Sequence, residues 1–189
     1  MPPLILASAS PRRAELLREM GADFTIVTRP TEEAHHEGFT ARELCLLNAY
    51  RKARAVAKLH PQALVLGADT LVYLGTTLYG KPVDLADAHR MLRELAGHTH
   101  QVVTGVCLLQ VGDHRCRLFA EPTNVTFKPL SDSRISAYLA AIQPLDKAGA
   151  YAIQDRGDEI VARISGSFSN VVGLPVERVK HELARWQRR

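Results

Sequence analysis

Ala63-Leu64-Val65-Leu66 is apolar at every position and runs straight into Gly67-Ala68-Asp69-Thr70. A strand with one wet face alternates apolar and polar residues. An unbroken apolar run marks a strand covered on both faces, as in sheets flanked by helices. The run predicts a buried strand of an α/β sheet. It also delivers an acid, Asp69, to a place where an acid is costly unless exposed or paired. Ligand crevices in α/β sheets lie beyond the carboxyl ends of strands. Read as just past a strand end, Asp69 is a candidate general base or metal ligand. The competing reading is an aspartate bonding its own turn backbone. The strand is expected to resume over 71–74 and to turn at Gly75-Thr76-Thr77.

Upstream, Leu4-Ile5-Leu6-Ala7 reads as a second short buried strand, followed by Ser8-Ala9-Ser10-Pro11 and a helix to about Met20, which Gly21 stops. Phe24 to Val27 is a further strand, and Arg29 to Gly38 a polar loop. Thr40-Ala41-Arg42-Glu43 is a capping box opening a long helix to about Leu59, with Leu46, Ala49, Ala53 and Val56 on one face and Lys52 at its border. Downstream, Leu78-Tyr79 leads to Gly80-Lys81-Pro82. Asp84 caps a helix whose inner face is Leu85, Ala88, Met91, Leu92 and Leu95, ended by Gly97. Long strands are expected near 100–111 and 115–127, a helix over 131–142, a turn at 146–151 and a strand over 159–164. Residues 166–175 read as a loop. Pro175 opens a last helix with Val179, Leu183 and Trp186 inward. Consecutive long strands suggest an antiparallel portion, so the fold class is α/β, a mixed sheet with flanking helices and two lobes around a central cleft.

The bulk numbers bound the function. The 189 residues suit a single domain, 1–189. A net charge of +4 is mildly basic. No lysine-rich run interleaves with aromatics, which argues against a nucleic-acid partner. The three cysteines, Cys45, Cys107 and Cys116, are odd in number and make no close pair, which suits a reducing compartment. The apolar start is too short for a signal peptide and no stretch is long enough for a membrane span, so a cytoplasmic protein is expected.

Several motifs could carry chemistry. Ser8-Ala9-Ser10-Pro11-Arg12-Arg13 brings two hydroxyls and an arginine fork to a helix N-terminus, where unpaired N–H groups and the dipole favour a phosphate. A plain serine cap with two solvated arginines is the alternative. Lys81, between glycine and proline, is either held toward a ligand or solvated. Glu33 and Lys52 are not distinctive on their own. Asp146-Lys147-Ala148-Gly149-Ala150-Tyr151 permits close backbone approach, and Gln154 beyond it can offer donor and acceptor to a base edge; a tight structural turn explains the same residues. No Cys/His zinc pattern, Walker loop, Rossmann glycine fingerprint or Gly-x-Ser-x-Gly elbow occurs.

In content and order, Leu6-Ala7-Ser8-Ala9-Ser10-Pro11-Arg12-Arg13, Gly67-Ala68-Asp69-Thr70, Gly80-Lys81-Pro82, Leu95-Ala96-Gly97-His98, Asp146 to Tyr151 and Val172-Gly173-Leu174-Pro175 resemble the Maf family of nucleoside triphosphate pyrophosphatases. The resemblance spans nearly the whole chain. It implies a fold similar to that of the inosine triphosphate pyrophosphatases, hydrolysis of a nucleoside triphosphate to monophosphate and pyrophosphate, a divalent metal and a homodimer. The run Ala150-Tyr151-Ala152-Ile153-Gln154 resembles the branch that acts on dTTP and UTP. Carried over by position, Asp69 looks like the catalytic base. Ser8, Arg13, Glu33, Lys52 and Lys81 look like the set that holds phosphate, metal and water, with Glu33 and Asp69 on the metal. Arg12, Thr70 and Gln154 match positions linked to substrate choice. Asp155 stands where the family usually has glycine, a departure that bears on the base pocket.

The chemistry expected is in-line attack of water on the α-phosphorus with pyrophosphate leaving. An ordinary aspartate has a pKa of about 3.9 and bulk water about 15.7, a gap that a divalent metal narrows by bringing water to about 7. Oxygen ligands favour Mg²⁺ or Mn²⁺. The competing class is a nucleotide-sensing or protein-binding module in septum and cell-division control, which would bind one equivalent of nucleotide without turnover.

Overall fold

The computed structural model describes residues 2–32, 34 and 38–188. Its strands are β1 (Leu4–Leu6), β2 (Phe24–Ile26), β3 (Leu64–Leu74), β4 (Thr77–Tyr79), β5 (Thr99–Gln110), β6 (Arg115–Phe127) and β7 (Val161–Ser165). Its helices are α1 (Pro11–Glu19), α2 (Ala41–Ala57), α3 (Leu85–Leu95), α4 (Asp132–Ala141), α5 (Gly157–Ile160), α6 (Phe168–Val172) and α7 (Val176–Gln187). The strands form a mixed sheet in the order β2-β1-β3-β5-β6-β7, with β4 paired to β3. β1 pairs in parallel with both β2 and β3, whereas β3 with β4 and β6 with β7 are antiparallel. Among the described residues no helix is long and apolar enough to cross a membrane.

The chain divides into two compact units. The first comprises Met1–Asp69, Thr104–Glu121 and Gly173–Arg189. Within it the period-2 alternation of strands decides which helix covers which face. Leu4, Leu6, Leu64, Leu66 and Ala68 pack with Ala14 and Leu17 of α1 and Val179 and Trp186 of α7. Ile5, Ala7, Ala63 and Val65 face the other way, onto Ala49, Ala53, Val56 and Ala57 of α2. The apolar run Ala63-Leu64-Val65-Leu66 is therefore covered on both sides. The second unit, Thr70–Val103 and Pro122–Val172, has its own core, in which Met91, Leu92 and Leu95 of α3 pack with Ile135 and Tyr138 of α4, Val102, Val125 and Phe127.

Local signals set several helix starts. Thr40 and Glu43 complete the capping box on α2: the Thr40 hydroxyl accepts from the Glu43 amide at 3.3 Å, and Glu43 Oε2 accepts from the Thr40 amide at 2.8 Å. Asp84 caps α3 by accepting from the Asp87 amide at 2.7 Å. Each such cap satisfies helix-end donors that would otherwise lack partners, a contribution of about 1 kcal/mol.

Five expectations need correction. Leu85, expected on the inner face of α3, sits in its first turn and is 59% exposed. β3 does not pause at Gly67-Ala68-Asp69-Thr70 but runs unbroken from Leu64 to Leu74, so Asp69 is a mid-strand residue. The segment over 159–164 begins as the short helix α5 and becomes a strand only at Val161. The stretch expected as a loop over 166–175 contains α6. Finally, the buried stripe of α7 is Val179, Glu182 and Trp186, with Leu183 only half-buried. Glu182, 2% exposed, is tolerated there because Arg117 Nε and Arg178 Nε donate to its two oxygens at 2.9 and 3.2 Å.

Candidate active site

The alternation that buries Ala63 and Val65 against α2 puts Gly67 and Asp69 on the same face. Gly67 is where the helix comes closest. A Cβ there would lie 2.3 Å from the Ala49 carbonyl oxygen and 2.9 Å from the Ala53 Cβ, so only glycine lets α2 approach. On β5 a Cβ at Gly105 would likewise meet the Cys45 carbonyl at 2.5 Å. Two such contacts seat α2 close on the sheet, and Asp69 is then met by the residues one helical turn apart on its flank, Asn48 and Lys52. Lys52 Nζ lies 2.6 Å from Asp69 Oδ1, and Asn48 Nδ2 donates to Oδ2 at 3.2 Å. Asp69 and Asn48 are 6% and 3% exposed. A carboxylate so deep in a sheet is acceptable because a cation and an amide donor hold it. Burial first, and the Asp69 charge second, push the neighbouring Cys45 thiol up to about 12, which keeps it an unreactive packing residue.

The second cluster lies where β1 ends. The Ala7 amide donates to the Leu66 carbonyl at 2.8 Å, which sets the end of β1 beside β3 just before Asp69. Ser8 follows, buried, and its hydroxyl oxygen accepts from the Ser10 amide at 3.3 Å and from Arg13 Nη1 at 3.1 Å. With its lone pairs engaged, the hydroxyl has its own proton to offer an anion. Ser10 is the N-cap of α1 and Pro11 its first residue, so the first turn presents backbone N–H groups of the kind that bind phosphate. Arg13 Nε donates to the Gly173 carbonyl at 2.9 Å. The guanidinium is thus held at two points, and Val172-Gly173-Leu174-Pro175 gains a reason beyond opening a helix. Arg12 is half-buried in the same turn.

In the second unit, two motifs that looked separate in sequence touch. The Gly149 amide donates to the Gly80 carbonyl at 3.0 Å, with Gly149 in the left-handed region at φ 71°. The Asp146 to Tyr151 turn therefore supports the strand exit from which Lys81, exposed, projects. Buried Lys147 stabilises the turn by bonding Asp146 Oδ1 at 2.7 Å and the Gln143 carbonyl. Tyr151 is anchored by His100, whose Nε2 lies 2.9 Å from the phenol oxygen, and the Tyr138 hydroxyl brackets the Ala152 backbone at 3.1 and 3.2 Å. Gln154 follows, exposed, in a cavity of about 650 Å³ lined by Ile142, Gln143, Lys147, Gln154, Asp155 and Arg156. Thr70, next in the chain to Asp69, is half-buried and begins this unit.

Of the residues expected at the site, Ser8 joins Arg13 and Lys52 joins Asp69. Glu33 lies outside the described residues. Its chain neighbours do not: the Ala34 amide donates to Asn48 Oδ1 at 2.8 Å, and Arg51 Nη1 donates to the Glu32 carbonyl at 3.2 Å. Asn48 was missed by the sequence reading. Its signal was a polar side chain on the apolar stripe of α2, one turn before Lys52. Among the described residues, no three His, Cys, Asp or Glu side chains gather as a metal-binding group.

Known proteins share the fold and much of the sequence. The Ham1 protein of Staphylococcus aureus shares the fold, with a TM-score of 0.55, 17% identity, and coverage of 95% of this chain and 98% of Ham1. Proteins named dTTP/UTP pyrophosphatase are much more similar in sequence. That of Symbiobacterium thermophilum is 46% identical over 98% of this chain and 95% of its own length. That of Akkermansia muciniphila is 45% identical over 95% and 94%, and that of Myxococcus xanthus 49% over 92% and 87%. The Maf-like protein family matches residues 3–186, and the chain belongs to that family.

Proposed function

We propose that this protein hydrolyses dTTP and UTP to the monophosphate and pyrophosphate. The observation that carries the reading is the Asp69 carboxylate, buried in mid-strand and held by Lys52 and Asn48, one strand away from the Ser8–Arg13 grip. The activity named for the relatives supports the same conclusion.

In this reading the Ser8 hydroxyl, the first turn of α1 and Arg13 hold the polyphosphate. Asp69 orients the attacking water and accepts its proton. The oxygen adds in line to the α-phosphorus, the bond to the β-phosphate oxygen breaks, and pyrophosphate leaves with the bonding pair. Lys52 and Lys81 offset the charge that builds on phosphoryl and leaving-group oxygens. Arg12, Thr70 and Gln154 take part in choosing the nucleotide, and Asp155 borders the same cavity as Gln154.

A divalent cation, Mg²⁺ or Mn²⁺, belongs to this reading. The donor chemistry fits: a carboxylate has about four lone-pair sites, of which Lys52 and Asn48 engage two different oxygens on Asp69. Asp69, Glu33 and substrate phosphates would hold it. Bound there, it would supply the acidity that brings water toward a pKa of about 7. A homodimer, on the strength of family resemblance, and a cytoplasmic location, on the strength of the unpaired cysteine pattern, complete the proposal.

The test is a pyrophosphate-release screen over canonical and methylated nucleoside triphosphates with Mg²⁺ and Mn²⁺. Release with dTTP and UTP, abolished in Asp69→Asn, is the expected result. Stoichiometric binding without turnover, or release of inorganic phosphate instead, would overturn it.

A further inference from the structure

Asn48 takes no step in the proposed reaction, yet it places a buried carboxamide where the rest of the α2 stripe is apolar. The chemistry of its partners fixes its orientation. The Ala34 amide can only donate, so the Asn48 oxygen must face it, at 2.8 Å. The NH₂ group then faces Asp69 Oδ2, at 3.2 Å. One planar group therefore links the central carboxylate to the loop backbone next in sequence to Glu33. Asn48 sits one helical turn from Lys52, so the same segment of α2 holds both oxygens of Asp69. Arg51, between them, ties the loop a second time at the Glu32 carbonyl.

We propose that Asn48 is a positioning residue that sets the Asp69 carboxylate in register with the loop at Ala34, and so sets how tightly the site takes up a divalent cation. The inference rests on the reading in which Asp69 takes that cation. The physical requirement is narrow. The side chain must donate at one end and accept at the other, over a fixed span, out of water. Leucine fills the space but leaves the Ala34 amide and Asp69 Oδ2 unpaired. Aspartate accepts from Ala34 but sets a second negative charge against Asp69. Partners that orient a metal-binding carboxylate without touching the metal alter its affinity by roughly 10- to 100-fold.

The test uses the full chain and three readouts on Asn48→Leu: Mn²⁺ binding without nucleotide, hydrogen exchange of the segment containing Ala34, and the kcat and KM for dTTP. The variant is expected to fold, to exchange the Ala34 amide faster, to bind Mn²⁺ roughly tenfold or more weakly, and to lose kcat with KM little changed. A lowered Tm with Mn²⁺ affinity and kcat unaltered would reduce Asn48 to a packing residue and overturn the proposal. Should Asn48→Leu fail to fold, Asn48→Ser takes its place. Its hydroxyl is too short to span both partners, and the same loss of Mn²⁺ affinity is required. Asp69→Asn separates the two levels. If it binds Mn²⁺ and turns over like the parent, the functional reading falls and this inference falls with it. If it loses both while Asn48→Leu keeps both, only the role of Asn48 is refuted.

Discussion

Lys52 reaches from α2 to within 2.6 Å of Asp69 Oδ1, and the two side chains are only 18% and 8% exposed. The pair joins a helix to the middle of a strand at the point where the strand carries its acid. Lys52→Met keeps the stem and removes the charge, leaving the Asp69 carboxylate with Asn48. The stability of an ion pair this buried lies mostly in not stranding its partner. Chemical denaturation is expected to show a loss of about 3 kcal/mol, and pyrophosphate release to slow on the order of 10²-fold. A wild-type kcat in this variant would remove Lys52 from the site.

Arg13 uses its fork to hold two points at once, the Ser8 hydroxyl at 3.1 Å and the Gly173 carbonyl at 2.9 Å. A lysine ammonium is a single point on a flexible stem and does not reproduce that geometry. Arg13→Lys is expected to raise the KM for dTTP by roughly tenfold, corresponding to about 1.4 kcal/mol of lost binding. Ser8→Ala, which spares the Gly173 contact, should raise it less. Steady-state kinetics on the two variants check the order.

Gly67 is a packing residue. Its missing Cβ makes room for the Ala49 carbonyl at 2.3 Å, and backbone on both sides leaves little scope to yield. Gly67→Ala is expected to cost about 3 kcal/mol and to lower Tm by roughly 10 °C, read by calorimetry. An unshifted Tm would mean that α2 slides freely on the sheet.

His100 gives the second unit a pH dependence. Its ring packs edge-on to Phe127 and Tyr151, and burial holds the imidazole down from 6.5 to about 4. Because the folded state resists protonation, the unfolded chain binds the extra proton first. The stabilisation is complete above pH 6.5 and is lost as pH falls toward 4, on the order of 3 kcal/mol in all. Urea titrations across that window should show a shallower slope in His100→Gln than in the parent. Identical slopes would place the titration elsewhere.

Much of the fold was legible in the sequence because its signals are local. The Thr40–Glu43 and Asp84–Asp87 caps join residues three apart, and both stand as read. The long strands ending at Gln110 and Phe127 fall within a residue of expectation. The errors arose where a residue serves something distant. Gly67-Ala68-Asp69-Thr70 looked like a break because glycine and aspartate end strands locally, yet Gly67 is small for the sake of α2. Leu183 was read as inward where Glu182 is the buried residue, because Arg117, which pairs with Glu182, is 65 residues away.

The sequence by itself determined that a strand covered on both faces runs into Asp69, that helices flank it, and that two serines and two arginines gather at a helix start after the first strand. Periodicity and capping depend on neighbours two to four residues apart, so they can be read without a fold. The tertiary structure alone decided the partnerships. Arg13 finds Gly173 across 160 residues, Asp69 finds Asn48 across 21 and Lys52 across 17. Those contacts depend on how closely α2 and α7 pack on the sheet, and that distance is set by side-chain volume, down to the hydrogen atom that stands for a side chain at Gly67.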